Sequence, residues 1–342
     1  MRIGIPREVK DGEHRVSLSP QAVRQLKSVI VEPGAGEGVG FSDQEYVKAG
    51  AVLGDPWECE LVVKVKELQE SEYARPRRGQ TVFAFQHFGP DPELLDAALA
   101  SGATFIAYET VGQAAGLPIL SPMSAIAGRL AVQVGGWCLL RQNGGSGVLL
   151  PGLDGVAPGK VVILGAGNVG SNALAVAAGI GADVTVFSRT PKPGLSAQYP
   201  RAQFRTGKPE IEDADLVIAG VLTPGQMSPK LISRAMLRAM RRGSAFVDVG
   251  IDQGGVAETS RPTSHSAPTY VEEGVVHYCV PNMPAACART ASLALENAVL
   301  PFVTKIVLNQ FDRDLATGVQ VKGGKVTHEH LARDTGRAYS PL

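Results

Sequence analysis

The sequence predicts an α/β protein of two domains, in which one domain is inserted into the other. The chain has 342 residues, more than a single hydrophobic core usually serves, so two domains are expected. Short β-branched and aromatic runs alternate with helix-like segments in two separate regions, as they do in parallel sheets with crossover helices. One long helical pattern precedes the second region and another follows it. The second region is therefore predicted to be the insertion.

The composition points to small-molecule partners. Lys and Arg together number 33, as do Asp and Glu, so the net charge gives no reason to expect nucleic acid or an anionic membrane as a partner. Apolar residues make up 44% of the chain and aromatic residues 6%, which suits an α/β fold better than a disordered chain.

Signals for secretion, membranes and metals are missing from the sequence. The opening segment MRIGIPREVK lacks the apolar stretch of a signal peptide, and no uninterrupted apolar run reaches the roughly 20 residues that cross a bilayer. The segment THEH near the C-terminus has Ala332 where the HExxH zinc motif needs its second histidine. The cysteines form no CxxC pair: Cys59, Cys138, Cys279 and Cys287. We expect a cytoplasmic protein with reduced thiols and no metal.

The first region contains predicted strands in RIGIP, SVIVEP, LVVKVKE, TVFAFQHF and TFIAYET, and helix-like segments in SPQAVRQL and DPELLDAALAS. The segment GAGEGVGFSDQEY also follows a strand, and its glycines are Gly34, Gly36, Gly38 and Gly40. A helix starts only after them, at the SDQE capping box. That register does not suit nucleotide binding, so we interpret the segment as a structural loop near the active cleft.

Two long helices are predicted to bracket the second region. After the break LSPMS, apolar residues recur at helical spacing and Ser124 is a candidate N-cap. The βα alternation then restarts with KVVILGAG and continues through VTVF, DLVIAGVL, SAFVDVG and VVHYCV, all apolar as strands buried on both faces are. The second helical pattern begins at Thr290 and contains Pro301, a predicted kink. The predicted domains are 1–127 together with 300–342, and 128–299.

The second region carries a dinucleotide-binding motif. Gly165, Gly167 and Gly170 stand in GxGxxG register, with Asn168 and Val169 between them, directly after a strand and at the start of an Ala-rich helix. The first glycine permits a tight turn, the second lets pyrophosphate approach the helix N-terminus, and the third permits close packing of helix on strand. A glycine-rich turn without a ligand is the alternative, but strand, spacing and helix all agree. We therefore predict two Rossmann-like domains, a dinucleotide-binding domain inserted into a discontinuous substrate domain and joined to it by long helices.

The end of the next strand predicts which dinucleotide binds. NAD-preferring sites carry a carboxylate there, which accepts hydrogen bonds from the ribose 2′-OH and would repel a 2′-phosphate. This chain has Ser188 and Arg189, followed by Lys192. Because an arginine fork suits a phosphate, the sequence favours NADP(H), with NAD(H) possible. The alternative is that Arg189 stacks on adenine or faces solvent.

Several polar residues stand at predicted strand ends, where open α/β sheets place their chemistry. They are Arg15, Lys66, His87, Asp252 and Asn282. Taken singly, each has a structural explanation, as a surface charge, a core histidine or a turn residue. Their neighbourhoods make the chain resemble the alanine dehydrogenases, a fold shared with the NAD-binding subunit of transhydrogenase. The segments that carry the resemblance cover nearly the whole length: GIPREVKDGEHRVSLSP, GAGEGVGFSDQEY, LVVKVKE, LSPMSAIAGRLAVQVG, GVAPGKVVILGAGNVGSNA, VDVGIDQGGVAETSRPTSH and GVVHYCVPNMP.

The resemblance implies residue roles. Arg15 grips the substrate carboxylate, Lys66 binds that group or the keto oxygen, His87 is the general acid/base, and Asp252 is a second catalytic group. Residues implied to line the cofactor are Met123, Ser124, Val221, Leu222, Ile251, Asn282 and Met283. The implied reaction is reversible oxidative deamination of L-alanine to pyruvate and ammonia by a homo-oligomer, hexamer or dimer.

The chain departs from the family pattern near the expected chemistry. Ser188 replaces the usual carboxylate, the segment from Arg189 to Asp215 is short and proline-rich, and Gln86 and Phe88 replace the leucines beside the histidine. These changes leave open a reductase of a cyclic or N-substituted imino acid. A transhydrogenase-like dinucleotide-binding subunit, or a non-catalytic NADP(H)-binding protein, is the alternative from another class. Neither needs the set of polar residues formed by Arg15, Lys66, His87 and Asp252.

Overall fold

The structure is a computed structural model that describes residues 1–112, 116–221 and 228–342. Its strands in chain order are β1 (Ile3–Ile5), β2 (Val29–Val31), β3 (Val52–Leu53), β4 (Leu61–Val63), β5 (Thr81–Ala84), β6 (Thr104–Ala107), β7 (Lys160–Leu164), β8 (Asp183–Phe187), β9 (Gln203–Arg205), β10 (Leu216–Ala219), β11 (Ala245–Asp248), β12 (Thr269–Glu272), β13 (Val275–Tyr278), β14 (Val319–Lys322) and β15 (Lys325–Val326).

The helices in chain order are α1 (Pro20–Val23), α2 (Asp43–Lys48), α3 (Pro92–Ser101), α4 (Leu120–Cys138), α5 (Asn168–Gly179), α6 (Pro193–Gln198), α7 (Arg234–Ala239), α8 (Ala288–Val307), α9 (Arg313–Gly318) and α10 (Glu329–Thr335). Side chains of the preceding residue cap several of them, as Ser19 does for α1 and Asp91 for α3. The predicted capping box at Ser42 and Glu45 is present, so α2 starts after the glycines of its loop.

The chain divides into two compact units. One unit comprises Met1–Met123 and Cys287–Leu342, and the other comprises Ser124–Ala286. The prediction of an inserted domain within a discontinuous one is therefore confirmed. The predicted second boundary, between 299 and 300, falls inside α8, because the helix runs from Ala288 to Val307 without ending at Pro301.

The sheet of the discontinuous unit has the order β15-β14-β6-β5-β4-β1-β2-β3. Strands β1 to β6 are mutually parallel, and β14 and β15 extend the sheet in antiparallel fashion beside β6. The order β3-β2-β1-β4-β5-β6 is that of doubly wound sheets, in which the winding reverses between β1 and β4. The C-terminal segment therefore extends the first sheet by two strands that the sequence analysis did not predict.

The sheet of the contiguous unit repeats this winding. Its order is β12-β13-β11-β10-β7-β8-β9, all parallel except the hairpin strand β12. The winding reverses between β7 and β10, so ligands are expected at the carboxyl ends of those two strands. The strands β7, β10 and β11 are almost wholly buried, which agrees with their continuous apolar sequences.

The helix α4 begins earlier than the sequence suggests. It starts at Leu120, so Ser124 lies inside the helix and is not its N-cap. Pro122 occupies the first turn, where the missing N–H group has no partner to lose. The proline that we interpreted as a break is therefore compatible with the helix start.

One stretch among the described residues, Met283–Val307, is long and apolar enough by length and composition to cross a membrane. Of the window that meets this test, 44% is buried, and the buried side of α8 includes Glu296, whose carboxylate accepts a hydrogen bond from the backbone N–H of Ser19. A helix that belongs to the core of a folded domain also meets this test of length and composition, so the test alone does not indicate a membrane span. The absence of a membrane partner, like the cytoplasmic location, stays a prediction.

Candidate functional site

Polar side chains of the discontinuous unit gather where its parallel strands end. Lys66 follows β4, His87 follows β5, Glu109 follows β6 and Glu8 follows β1. The carboxyl ends of parallel strands lie at one edge of a sheet, and β1 and β4 flank the point where the winding reverses. The sheet order therefore gathers segments that are far apart in the sequence.

Lys66 and His87 are in direct contact. Lys66 Nζ lies 3.1 Å from His87 Nε2, and Glu67 Oε2 lies 3.6 Å from Lys66 Nζ and 4.0 Å from His87 Nε2. The other oxygen of Glu67 pairs with Lys10 Nζ. A charged lysine donates to Nε2 and thereby places the imidazole proton on Nδ1. The contacts therefore run from Lys10 to Glu67 and from Glu67 to Lys66, with charges of alternating sign, and end at a neutral His87.

The electrostatics of this cluster follow from burial and from its neighbours. Desolvation and the Lys66 ammonium lower the pKa of His87, although the side chain is 43% exposed, so solvent screens part of the effect. Desolvation alone would raise the pKa of Glu67, but its positive neighbours, led by Lys66, lower it to about 2. At neutral pH the imidazole is uncharged and Glu67 is ionised.

The backbone at His87 is in the left-handed region. Its φ is +48°, which is uncommon for a residue with a side chain and typical of functional sites. The carboxylate of Glu109 accepts hydrogen bonds from the N–H groups of Gln86, at 3.1 and 3.2 Å, and of His87, at 2.9 Å. Glu109 thereby stabilises the conformation that presents the imidazole.

Arg15 is buried and already engages a carboxylate. Its side chain is 1% exposed, and Nε and Nη2 donate to the two oxygens of Glu13 at 2.8 and 2.5 Å. Its Nη1 contacts the sulfur of Met123 at 3.2 Å. Helix α8 holds this segment, since the backbone N–H of Val16 donates to Ser292 Oγ at 3.0 Å. The guanidinium is thus fixed in direction before any substrate arrives.

The glycine motif of the contiguous unit has the geometry that its spacing predicts. Gly165 has φ +99°, which a side chain would rarely adopt. A Cβ on Gly170 would stand 1.8 Å from the carbonyl oxygen of Gly165, whereas a Cβ on Gly167, which precedes α5, would meet no atom within 4 Å. The open position lies at the start of a twelve-residue helix. This cradle fits a dinucleotide pyrophosphate.

The end of β8 presents no carboxylate of its own. The hydroxyl of Ser188 donates to the carbonyl of Thr190 at 2.8 Å, and Arg189 is exposed without a hydrogen bond or ion pair to the described residues. Lys192 precedes α6, which spans only six residues. The proline-rich segment therefore still forms a helix, but a short one.

Asp252 and Asn282 lie together in the contiguous unit. Asn282 has φ +54°, and its N–H donates to Asp252 Oδ2 at 3.4 Å. The loop that carries Asp252 is organised by Asp248, which is fully buried. Asp248 accepts the N–H groups of Gly250 at 3.0 Å and Val256 at 2.7 Å. This loop begins directly after β11, so Asp252 stands at the carboxyl edge of the second sheet.

The remaining predicted cofactor residues fall into two sets. Ile251 and Met283 are buried, at 4% and 3% exposure, while Ser124 and Val221 are partly exposed. Val221 follows β10 and packs against the core of its unit. Leu222 lies outside the described residues.

Sequence reasoning missed the carboxylates that organise the site: Glu13, Glu67, Glu109 and Asp248. The signal for Glu67 and Glu13 was available, since each stands within two residues of a predicted cation. Phe88 does not line a pocket, because it packs in the core against Phe105 with ring centroids 5.7 Å apart. The side chain of Gln86 is fully buried, and its amide has no hydrogen-bond partner among the described residues.

The described residues contain no cluster of His, Cys, Asp and Glu that could hold a metal. His277 is buried and contacts Thr259 Oγ1 and the carbonyl of Val275, each at 2.9 Å. The four cysteines are free thiols, three of them buried.

Comparison with known families decides the relationship of this chain. The profile described as "Alanine dehydrogenase/PNT, N-terminal domain" matches residues 4–127, and "Alanine dehydrogenase/PNT, C-terminal domain" matches residues 131–329. The chain belongs to the alanine dehydrogenase/PNT family. The resemblance seen in the sequence is thereby confirmed.

Individual relatives agree with the family assignment. An alanine dehydrogenase of Halomonas elongata is 46% identical over 99% of this chain and 98% of its own length. A solved L-alanine dehydrogenase matches with a TM-score of 0.95 and 44% identity, over 98% of this chain and 99% of that one. A transhydrogenase from Sinorhizobium meliloti matches with a TM-score of 0.84 and 27% identity, over 95% of this chain and 100% of that one.

The family relationship fixes the general chemistry. The chain is an oxidoreductase of the alanine dehydrogenase type. Its dinucleotide-binding fold implies a nicotinamide cofactor.

Proposed function

We propose that the chain is an NADP(H)-dependent L-alanine dehydrogenase that interconverts L-alanine with pyruvate and ammonia. The observation that carries this proposal is the contact of Lys66 with His87, 3.1 Å apart at the carboxyl edge of the first sheet. An enzyme of this type needs a cation for the acid end of its substrate and a group that moves protons at neutral pH. This pair supplies both.

The residues of the discontinuous unit bind the substrate. The guanidinium of Arg15, held by Glu13, faces the carboxylate, and Lys66 Nζ binds the carboxylate or the keto oxygen. His87 is uncharged at neutral pH and accepts or returns protons as ammonia adds to the keto carbon and water leaves. Met123, which contacts Arg15, keeps its predicted place beside the cofactor.

The residues of the contiguous unit hold the dinucleotide. Gly165, Gly167 and the first turn of α5 cradle the pyrophosphate, while Ile251, Asn282 and Met283 line the nicotinamide end. Asp252, at the carboxyl edge of the second sheet, is the second catalytic group of the proposal. The bound nicotinamide supplies or accepts the hydride at C2 of the amino acid, which is the cofactor's own chemistry.

NADP(H) is proposed over NAD(H) because of the end of β8. No carboxylate stands there to repel a 2′-phosphate, and the exposed Arg189 has no partner among the described residues to displace. Such a guanidinium binds a phosphate by two parallel charge-assisted hydrogen bonds.

The first experiment measures initial rates with NADPH and with NADH, using ammonium and a panel of 2-oxo acids led by pyruvate. We expect turnover of pyruvate with NADPH strongly preferred. A preference for NADH contradicts the role of Arg189 and leaves the dehydrogenase proposal intact. Tight NADPH binding without turnover of any 2-oxo acid contradicts the dehydrogenase proposal, and cyclic and N-substituted imino acids then form the next panel.

A transhydrogenase-like subunit is the competing proposal from another class. It predicts dinucleotide binding with no ammonium-dependent oxidation of NADPH, so the same assay separates the two. Assembly into a hexamer or dimer stays a prediction, which sedimentation of the purified protein tests.

A further inference from the structure

Glu8 holds the backbone that leads into Lys66. It stands three residues after the end of β1, and its side chain is only 3% exposed. One carboxylate oxygen accepts the N–H of Val65 at 2.7 Å and the other accepts the N–H of Lys66 at 3.3 Å. A carboxylate that accepts two successive N–H groups fixes the direction of the chain at that point.

The charge of Glu8 is not needed to neutralise its neighbours. Lys64 Nζ is fully buried and already pairs with both oxygens of Glu72, at 2.7 and 3.0 Å, whereas Glu8 Oε2 lies 3.4 Å away. A second buried carboxylate beside a neutral pair is costly. Burial accordingly raises the pKa of Glu8 to about 7, opposed mainly by Lys64. Burying the carboxylate of Glu8 therefore costs stability. Its hydrogen bonds with the N–H groups of Val65 and Lys66 give a structural reason for keeping it there.

We propose that Glu8 is a positioning residue that keeps Lys66 Nζ within hydrogen-bonding distance of His87 by fixing the backbone of Val65 and Lys66. Glu8 acts through Lys66, so the inference rests on the proposed role of Lys66 in substrate binding. The inference predicts that a change in the charge or length of the side chain at position 8 alters the pKa of His87, which lies at the end of a neighbouring strand.

The test is the pKa of His87 in Glu8→Gln, measured by NMR on histidine-labelled full-length protein and assigned with His87→Asn. Lys66 lowers the pKa of His87, so displacement of Lys66 raises that pKa towards its ordinary value. Glu8, with a pKa of about 7, is largely protonated in the range where His87 titrates, so Glu8→Gln removes little charge there. Any negative charge that it does remove would lower the pKa of His87, so a rise is diagnostic of lost positioning.

Activity gives a second readout. With pyruvate, ammonium and the preferred dinucleotide, we expect kcat/KM for pyruvate to fall about ten- to a hundredfold in Glu8→Gln, the scale expected for a displacement of about 1 Å. The KM for the dinucleotide should stay unchanged, because Glu8 is not part of that site. Glu8→Asp keeps the carboxyl group and shortens its reach, and it should raise the pKa of His87 in a variant that folds.

Two controls separate positioning from stability. Glu72→Gln removes the main partner of Lys64 but leaves the contacts of Glu8 with Val65 and Lys66, so it should lower the unfolding temperature and leave the pKa of His87 unchanged. Glu32→Gln removes the charge of the side chain that accepts the N–H of Arg7 at 2.9 Å. Arg7 is the residue before Glu8, so this variant is a local control, and it should change neither the unfolding temperature nor the pKa of His87.

A pKa of His87 that stays or falls in both Glu8 variants, with kcat/KM unchanged, overturns the inference. The same shift in Glu72→Gln also overturns it, because the effect would then come from the ion cluster as a whole. If the wild type turns over no 2-oxo acid but the pKa of His87 rises in Glu8→Gln, the proposed function fails and the positioning role stands. If the wild type is active but the pKa of His87 does not move in the variants, the positioning role fails and the proposed function stands.

Discussion

At the scale of single residues, the first unit is dominated by carboxylates that hold cations in place. Glu13 fixes Arg15, and Glu67 stands between Lys10, Lys66 and His87. Burial and these neighbours lower the pKa of Glu67 and of His87 from their ordinary values, so the stability of the protein should depend on pH through these two groups.

Glu67→Gln tests this dependence. The pKa of Glu67 is lowered from 4.5 to about 2 in the folded protein. Its stabilisation is therefore complete above the unfolded pKa and is lost as the pH falls through the folded one. At pH 7 we expect the variant to be less stable by about 1–3 kcal/mol, and this difference should vanish towards acid pH. Denaturant unfolding at several pH values measures it, with the exposed Glu70→Gln as control. A constant difference contradicts the prediction.

Arg189→Gln tests cofactor recognition at one side chain. Loss of charge-assisted hydrogen bonds to a 2′-phosphate should weaken NADPH binding by about 1.5–3 kcal/mol and leave NADH binding unchanged. Fluorescence titration with each dinucleotide measures this, with Arg201→Gln, another exposed arginine of the same segment, as control. Equal weakening of both dinucleotides would instead indicate stacking on adenine.

At the scale of elements, the turn from β7 into α5 separates folding from binding within one motif. Gly170 is needed by the packing of the fold, since a Cβ there would collide with the carbonyl of Gly165. Gly167 has φ −81° and open space around it, so the fold itself tolerates a side chain there. If function requires glycine at position 167, the requirement comes from a ligand and not from the packing of the fold.

The matched pair Gly167→Ala and Gly170→Ala exploits this difference. Gly170→Ala should lower the free energy of unfolding by about 1–3 kcal/mol or more, as overpacked sites do. Gly167→Ala should cost about 1 kcal/mol or less, the loss of a glycine N-cap, and yet weaken dinucleotide binding, because the methyl group fills the path of the pyrophosphate. Unfolding curves and binding titrations on both variants check this. Unimpaired binding by Gly167→Ala would place the dinucleotide elsewhere.

At the scale of the whole molecule, two doubly wound sheets occur in one chain, and each has its candidate functional residues at the carboxyl ends of its strands. The C-terminal part of the discontinuous unit joins its sheet through β14, which pairs with β6. The contiguous unit carries the glycine motif, so dinucleotide binding should stabilise the unit made of residues 124–286 directly.

Thermal unfolding of the full chain tests this expectation. A dinucleotide at a hundred times its Kd stabilises the folded state by about 2.7 kcal/mol. When calorimetry is run with both dinucleotides at the same concentration, NADPH should therefore raise the unfolding temperature more than NADH does. Should the units unfold separately, only the transition of the contiguous unit should move. Equal shifts with both dinucleotides contradict the proposed preference.

The strands that the sequence predicted were the long apolar or β-branched runs, and each of them is present: β1, β2, β4, β5, β6, β7, β8, β10, β11 and β13. Two of the missed strands, β3 and β9, are short and sit at sheet edges, where partial exposure removes the apolar signal. The start of α4 was misplaced because Pro122 suggests a break but fits the first turn of a helix.

The sequence by itself determined the α/β class, the insertion, the glycine motif and the family, because periodicity and spacing are local properties that survive without knowledge of contacts. It also selected Lys66 and His87 as separate candidates. Only the tertiary structure decided that these two side chains touch and that the guanidinium of Arg15 donates to the carboxylate of Glu13. It also decided that Glu109 accepts the N–H of His87 and that Glu8 accepts the N–H of Lys66. Those contacts join residues on different strands, and the order of the parallel strands brings them to one edge.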